Sequence, residues 1–140
     1  MVFAKSTAGH LSQLNPCAGN KRIELGKAGE ALALKYLRRH GYKIIEQNYK
    51  TRSGEIDIIA KNKDVLAFIE VKTRKSLEYG LPQEAVDIRK QRQISKVALE
   101  YLARMNGQEI DCRFDIVAIT WLKNQKPQIE LLKDAFCSEE

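Results

Sequence analysis

The sequence predicts an α/β protein whose elements follow the order α-β-β-β-α-β-β. Three observations carry this prediction: a helical apolar period from Ile23 to His40, three strand-like segments between Tyr42 and Thr73, and a second amphipathic helix followed by two apolar segments. The chain has 140 residues, of which 44% are hydrophobic and 30% are charged. This composition is typical of one soluble globular domain with a core of its own.

The first helix is predicted to run from Ile23 to His40, because Gly41 provides a C-terminal stop. Its apolar side chains fill one broad arc of a helical wheel, and Glu30 falls within that arc. An acid on the core side of a helix needs either a partner or an edge position with access to water. Residues 1–20 have no apolar period, so we expect a flexible tail there.

Three strands are predicted next, at Tyr42–Tyr49, Gly54–Ala60 and Val65–Thr73. Between the second and third strands, Lys61–Asp64 is a polar segment that we interpret as a four-residue turn. The second and third strands therefore form a hairpin that a further strand precedes.

The predicted turn fixes the register of this hairpin. If Ala60 lies opposite Val65, Asp57 lies opposite Phe68 and is a diagonal neighbour of Glu70, with about 7 to 8 Å between the two backbones. Two carboxylates at that distance can share one divalent ion through bonds of about 2.1 to 2.5 Å. The pattern therefore places two acids on one face of the hairpin.

The second half of the chain supplies a helix and two strands. The helix is predicted from Pro82 to about Met105, since proline is favoured in the first helical turn. Strands follow at Ile110–Thr120 and Gln128–Leu132. The predicted domain spans residues 21–137, and residues 138–140 are expected to fray.

The net charge of +6 is unevenly distributed. Residues 21–52 contain nine Lys or Arg against three Glu, so the rest of the chain sums to zero. Such an excess suits a phosphate backbone, although a solvated basic face is the alternative. The second helix carries Arg89, Lys90, Arg92 and Lys96, which are either another phosphate-binding surface or ordinary solvated charges. The residues predicted to contact nucleic acid are Lys27, Arg38, Arg52, Arg74, Lys75 and Lys90.

The acids of the hairpin suit phosphodiester hydrolysis. Asp57 and Glu70 would hold Mg²⁺, or Mn²⁺, which prefers oxygen ligands and lowers the pKa of a bound water. Lys72 would position or deprotonate that water, or neutralise the charge that develops on phosphorus. The carbonyl of Val71 and the carboxylate of Glu30 are the further predicted metal ligands. Read singly, each of these residues is also compatible with an ordinary strand-end acid or ion pair.

Other classes of protein find little support in the sequence. No apolar run is long enough to span a membrane and no signal peptide is evident, so we expect a cytoplasmic protein without a membrane partner. The three cysteines show no CxxC spacing, which indicates neither a disulfide framework nor a zinc site. No phosphate-binding Gly-rich loop with a GK[ST] ending is present.

Several separated motifs resemble one protein family. They are Gly29-Glu30, Asn48-Tyr49, Gly54-Glu55-Ile56-Asp57, the stretch Phe68–Arg74, Arg113-Phe114-Asp115 and Ala135-Phe136. Together they resemble the YraN-like bacterial proteins, a group of predicted endonucleases in the Holliday-junction-resolvase-like branch of the PD-(D/E)XK superfamily. The resemblance implies a restriction-endonuclease-like core, with a central mixed sheet flanked by helices. It also implies Asp57, Glu70 and Lys72 as catalytic residues and Glu30 as an accessory metal ligand. Ile56 replaces the proline of the superfamily pattern.

The leading hypothesis is therefore a Mg²⁺-dependent endonuclease that acts on structured or branched DNA, since no sequence-reading helix is evident. The first alternative is a non-catalytic nucleic-acid-binding module of the same fold, and the second is an assembly partner whose basic surface meets an acidic protein. DNA is favoured over RNA. The sequence leaves open whether the chain forms a homodimer, as two-fold-symmetric resolvases do.

Overall fold

The computed structural model describes residues 20–75, 86–105 and 109–137 of the chain. Within these ranges the predicted order of elements is confirmed. Of the predicted tail, residues 1–20, only Asn20 is described, and it belongs to the first helix; the predicted frayed end, residues 138–140, lies outside the described part. The elements are α1 (Asn20–Arg39), β1 (Tyr42–Thr51), β2 (Gly54–Asn62), β3 (Val65–Arg74), α2 (Ile88–Ala103), β4 (Asp111–Thr120) and β5 (Gln128–Phe136).

The strands form one five-stranded sheet in the order β1-β2-β3-β4-β5. Strands β3 and β4 are parallel, and the other three neighbouring pairs are antiparallel. A parallel pair needs a crossover connection, which here contains α2, whereas antiparallel neighbours can follow each other through short turns. The predicted mixed sheet is confirmed.

The two helices cover opposite faces of the sheet. Helix α1 buries Ala33 and Leu37 against one face, and α2 buries Ile94 and Val97 against the other. The cluster of buried residues beneath each helix is named the α1 core or the α2 core. In the α1 core the sheet contributes Ile58, Ile69, Val117 and Ile119. In the α2 core it contributes Ile59, Phe68, Phe114 and Ile116. Neither helix, as far as the structure describes it, is long and apolar enough to cross a bilayer.

The predicted hairpin register is wrong by two residues. Asn62 pairs with Val65 and Ala60 pairs with Ala67, so the turn between β2 and β3 contains only Lys63 and Asp64. Lys63 adopts φ 56°, the left-handed conformation that tight two-residue turns use. Lys61 and Asn62 were predicted as turn residues because they are polar, but both belong to β2 and pair with Leu66 and Val65 of β3.

Helix α2 begins later than predicted. Pro82 lies outside the described residues, and the described helix begins at Ile88. Asp87 is extended, and its carboxylate accepts a hydrogen bond from the Lys90 amide at 2.8 Å, which is the arrangement of an N-cap. Val86 therefore precedes the helix, although its side chain is buried in the α2 core as the apolar pattern predicted.

A buried polar network joins β1, β2, β4 and β5 at the end of the sheet where β3 begins, and its β2 member is Asn62, which accepts a hydrogen bond from Arg113 at 3.0 Å. Asp115 is fully buried, and both of its carboxylate oxygens accept hydrogen bonds from Arg113. The Tyr42 hydroxyl donates to the same carboxylate at 3.0 Å, and the Asp134 amide donates to it at 2.9 Å. Asp134 lies in a left-handed conformation where the β4–β5 register shifts. This irregular pairing allows β5 to continue past the predicted end at Leu132 to Phe136.

Candidate functional site

An open cavity of about 630 Å³ lies at the opposite end of the sheet, where β2 begins and β3 ends. One wall comes from the N-terminal half of α1 and the other comes from the two strands. The residues predicted to be catalytic or metal-binding all line it, together with one predicted nucleic-acid contact: Glu30, Asp57, Glu70, Val71, Lys72 and Lys75. The structure thus brings the predicted site residues to one place.

Asp57 reaches this cavity because β2 does not alternate regularly around it. Ile56 packs in the α2 core whereas Ile58 packs in the α1 core, although residues two apart in a regular strand share a face. The β2–β3 pairing ends at Ile58 and Ile69, and one Asp57 carboxylate oxygen accepts a hydrogen bond from the Val71 amide at 2.8 Å. Asp57 and Glu70 are therefore not the diagonal neighbours in a regular ladder that the sequence predicted. The backbone pairing of β2 with β3 ends just before these two residues.

Glu70 is the most buried acid of the cavity, with 4% of its surface exposed. Its Oε2 atom lies 3.7 Å from the Lys90 ammonium and 3.9 Å from the Lys72 ammonium. Its Oε1 atom is buried and has no hydrogen-bond partner among the described residues. A buried carboxylate oxygen without a partner is costly, so this atom is available to a ligand.

Burial raises the pKa of Glu70 to about 8, and the negative charge of Asp57 contributes to the rise. Lys90 and Lys72 act in the opposite direction without cancelling it. A carboxyl group with these neighbours holds a proton near neutral pH when no further cation is present. A divalent ion would compensate the negative charge of both acids and favour the ionised form.

Glu30 comes from α1 and is half-buried. Burial raises its pKa to about 6, and the charges of Asp57 and Glu55 add to the rise, while Asn48 and Lys27 offset part of it. The predicted position of Glu30 on the core side of the helix is confirmed, with an edge location beside the cavity. Two acids of β2 therefore contribute to the raised pKa of this helix residue.

Lys72 completes the group from the end of β3. Its side chain is 41% exposed, so the ammonium is accessible from the cavity while it remains close to Glu70. Val71, between these two residues, uses its amide to bind Asp57. The metal-ligand role of the Val71 carbonyl stays a prediction.

The donor set fits a hard divalent cation. Carboxylate oxygens are the ligands that Mg²⁺ and Mn²⁺ prefer, and the partnerless oxygen of Glu70 points to a missing cationic partner. No group of three or more His, Cys, Asp or Glu side chains is already arranged to hold a metal in the described ranges. Asp57 and Glu70, which line the cavity together, are the residues that would hold such an ion, and the metal-ligand role of Glu30 stays a prediction.

The predicted nucleic-acid contacts are distributed over several parts of the fold. Lys75 lines the cavity, and Lys90 reaches Glu70 from α2. Arg74 donates a hydrogen bond to Thr120 at the edge of the same region. Lys27 and Arg52 are exposed near this end of the sheet. Arg38 lies eight residues beyond Glu30 along α1, about 12 Å towards the other end of the helix, and does not line this cavity.

Sequence reasoning assigned no role in the site to Asn48 or Thr73. Asn48 lies across from Asp57 and adopts φ 51°, a left-handed conformation that asparagine tolerates better than most residues. Thr73 lines the cavity and packs so closely on Gly29 that a side chain at that glycine would collide with it. An asparagine inside a strand and a glycine on the apolar arc of a helix were the available signals.

Comparison with known proteins gives a consistent result. A family model described as "Uncharacterised protein family UPF0102" matches residues 29–119. A UPF0102 protein of Geobacter metallireducens is 52% identical over 112 residues, which cover 80% of this chain and 91% of the relative. A UPF0102 protein of Syntrophus aciditrophicus is 50% identical over 116 residues, 83% of this chain and 91% of the relative. One from Caldicellulosiruptor saccharolyticus is 42% identical over 118 residues, 84% of this chain and 99% of the relative.

Proposed function

The chain belongs to the uncharacterised protein family UPF0102, and we propose that it is a metal-dependent endonuclease that hydrolyses phosphodiester bonds in structured or branched DNA. The family membership confirms the resemblance to the YraN-like proteins that the sequence motifs indicated. Because a fold does not fix an activity, the proposal is argued from the site.

One observation carries the proposal: Asp57, Glu70 and Lys72 line a single open cavity, and one buried oxygen of Glu70 has no hydrogen-bond partner among the described residues. A structural ion pair would leave no such oxygen, since buried polar groups are almost always hydrogen-bonded. Two acids with a lysine beside them are the groups that phosphodiester hydrolysis requires.

Each residue has a role in this proposal. Asp57 and Glu70 would hold Mg²⁺ or Mn²⁺, and Glu30 would be a further carboxylate ligand. A bound metal would polarise the phosphate and lower the pKa of a water ligand. Lys72 lies at the mouth of the cavity, where its ammonium orients the attacking water or stabilises negative charge on the phosphate oxygens. The Val71 amide keeps the Asp57 carboxylate directed into the cavity.

The substrate class follows from what surrounds the cavity. The described walls contain acids, lysines and small side chains, with no aromatic residue on which a base could stack. Recognition through phosphates and through the shape of the nucleic acid is the mode that remains. The cytoplasm, where bacterial DNA resides, is the compartment that this function requires.

The test is cleavage of labelled duplex, single-stranded, flap and four-way-junction DNA, and of RNA of the same sequence, with Mg²⁺ or Mn²⁺. We expect metal-dependent cleavage, strongest for a branched substrate, that Asp57→Ala and Lys72→Ala abolish. Lys61→Ala is the matched control, because Lys61 is exposed near the turn at the other end of β2 and should leave cleavage unchanged. Equal cleavage by wild type and Lys72→Ala would refute the assignment.

A non-catalytic nucleic-acid-binding module is the second candidate. It is favoured by the absence of a preassembled three-ligand metal group in the described part of the chain, and by the two lysines that already neutralise part of the charge of Glu70. Salt-sensitive binding of DNA without cleavage of any substrate in either metal would establish it.

A further inference from the structure

The cavity lined by Glu30, Asp57 and Glu70 is called the carboxylate cavity below. A second open cavity, of about 710 Å³, lies beside it on the α2 side of the sheet. We name it the α2 groove. Among the described residues, five cationic side chains and one carboxylate line it: Lys72, Arg89, Lys90, Arg92, Lys96 and Asp87. Its floor comes from the β1–β2 turn and the end of β3, and its rim comes from the first turns of α2.

The α2 groove is continuous with the candidate active site. Lys72 lines both cavities, so its ammonium marks their common border. Lys90 lines the groove and approaches Glu70 to within 3.7 Å. A chain of phosphates that lies in the groove would therefore pass directly beside the two acids.

Three cations of the groove rim have no partner among the residues that the structure describes. Arg89, Arg92 and Lys96 are exposed and form no hydrogen bond or ion pair with any described residue. The carboxylate of Asp87 is occupied at the start of α2, where it accepts the hydrogen bond from the Lys90 amide. The groove thus presents concentrated positive charge in a concave surface, which raises the local potential for a polyanion.

We propose that the α2 groove binds the sugar-phosphate backbone of a DNA strand and directs it into the carboxylate cavity. This inference rests on the proposed function, because it names the surface by which the same site receives its substrate. The described lining contains no aromatic side chain, so contacts to phosphates rather than stacking on bases provide the affinity. Binding is accordingly independent of base sequence and strongly dependent on salt.

The proposal distinguishes α2 from the other basic element. Lys35 and Arg39 are exposed on α1, which covers the opposite face of the sheet, and Lys43 is exposed just after it at the start of β1. None of these three residues lines either cavity. These three residues carry the same charge as Arg89, Arg92 and Lys96. They therefore provide a control that removes equal positive charge from a different surface.

The experiment measures binding of labelled duplex and four-way-junction DNA by fluorescence anisotropy in EDTA over a series of salt concentrations. It compares wild type with two triple variants, the α2 variant R89A/R92A/K96A and the α1 variant K35A/R39A/K43A. We expect the α2 variant to bind about tenfold or more weakly, and its logarithmic salt dependence to fall by roughly one for each cation removed. The α1 variant should keep most of the wild-type affinity.

A second measurement uses the wild-type chain and so does not depend on the folding of a variant. Bound DNA should slow chemical acetylation of Lys96 and leave that of Lys35 unchanged. The proposal is overturned if wild type does not bind DNA, if the α2 variant binds as wild type does, or if DNA protects Lys35 instead of Lys96. Since no metal is present and no bond is cut, these outcomes are independent of whether the protein is a nuclease.

Discussion

At the scale of single residues, two buried acids differ in how completely the protein satisfies their carboxylate oxygens. Asp115 is fully buried, yet Arg113, Tyr42 and the Asp134 amide satisfy both of its oxygens. Glu70 is almost as buried, and one of its oxygens has no partner among the described residues. The Asp115 carboxylate stabilises the junction of four strands. The Glu70 carboxylate keeps a buried oxygen that a cation can bind.

Glu70→Gln should therefore stabilise the metal-free protein at neutral and alkaline pH. The pKa of Glu70 is raised from 4.5 to about 8, so the folded chain keeps a proton that the unfolded chain releases between these values. Unfolding becomes more favourable as the pH rises through this window, and the variant lacks that loss. We expect a gain on the order of 2 kcal/mol at pH 8 and little difference at pH 4.5, measured by urea denaturation in EDTA.

Glu130→Gln is the matched control, because Glu130 is exposed on β5 and should show no such pH-dependent gain. Addition of Mg²⁺ or Mn²⁺ should raise the melting temperature of wild type more than that of Glu70→Gln, since a ligand that binds only the folded state stabilises it. An unchanged or lower stability of Glu70→Gln at pH 8 would contradict the electrostatic account.

At the scale of elements, the site depends on how closely α1 approaches β3. Gly29 is buried, and a Cβ at this position would collide with the Thr73 hydroxyl and Cβ. Glu30 follows directly, so the position of its carboxylate is set by this contact between a helix and a strand. The helix accepts the lower helical propensity of glycine here because only glycine allows that distance.

Gly29→Ala should separate α1 from β3 and destabilise the fold by about 1 to 3 kcal/mol, as overpacking typically does. Gly26→Ala, one turn earlier, should be neutral or stabilising, because no atom lies within 4 Å of its added Cβ. Thermal denaturation of both variants gives the comparison. The double variant Gly29→Ala/Thr73→Ala should recover part of the lost stability, and failure to do so would show that the collision is not the cause.

At the scale of the whole molecule, one mixed sheet separates two hydrophobic cores. Leu37 belongs to the α1 core and Phe68 to the α2 core, and both are buried. Strands β2, β3 and β4 contribute side chains to both cores, so the loss of one core should weaken the other. A single cooperative domain over residues 21–137 is the prediction that follows.

Leu37→Ala and Phe68→Ala should each lower the free energy of unfolding by about 2 to 5 kcal/mol. Each variant should show one urea transition, at the same midpoint by far-UV circular dichroism and by the fluorescence of the single tryptophan, Trp121. Leu99→Ala, at a position 48% exposed on α2, should change stability by no more than roughly 0.5 kcal/mol. Two separate transitions would indicate two independently folding units.

Sequence reasoning predicted the elements better than the contacts between them. The order of strands and helices followed from apolar periodicity, which reports the local environment of each side chain. The hairpin register was wrong, yet Asp57, Glu70 and Lys72 still line one cavity. A shift of two residues leaves each strand residue on the same face of the sheet. The β2–β3 pairing ends next to Asp57, and apolar periodicity does not predict where such a pairing ends.

By itself, the sequence determined the class of fold, the family motifs and the acids and lysine that converge, because these depend on residue type and spacing. Only the tertiary structure decided three features of the described residues: a buried Glu70 oxygen has no partner among them, Lys90 reaches Glu70 from another element, and five of their cations line a groove beside the acids. Burial and charge proximity depend on which elements pack together across the chain. These long-range contacts are set by the fold as a whole, so a local pattern cannot contain them.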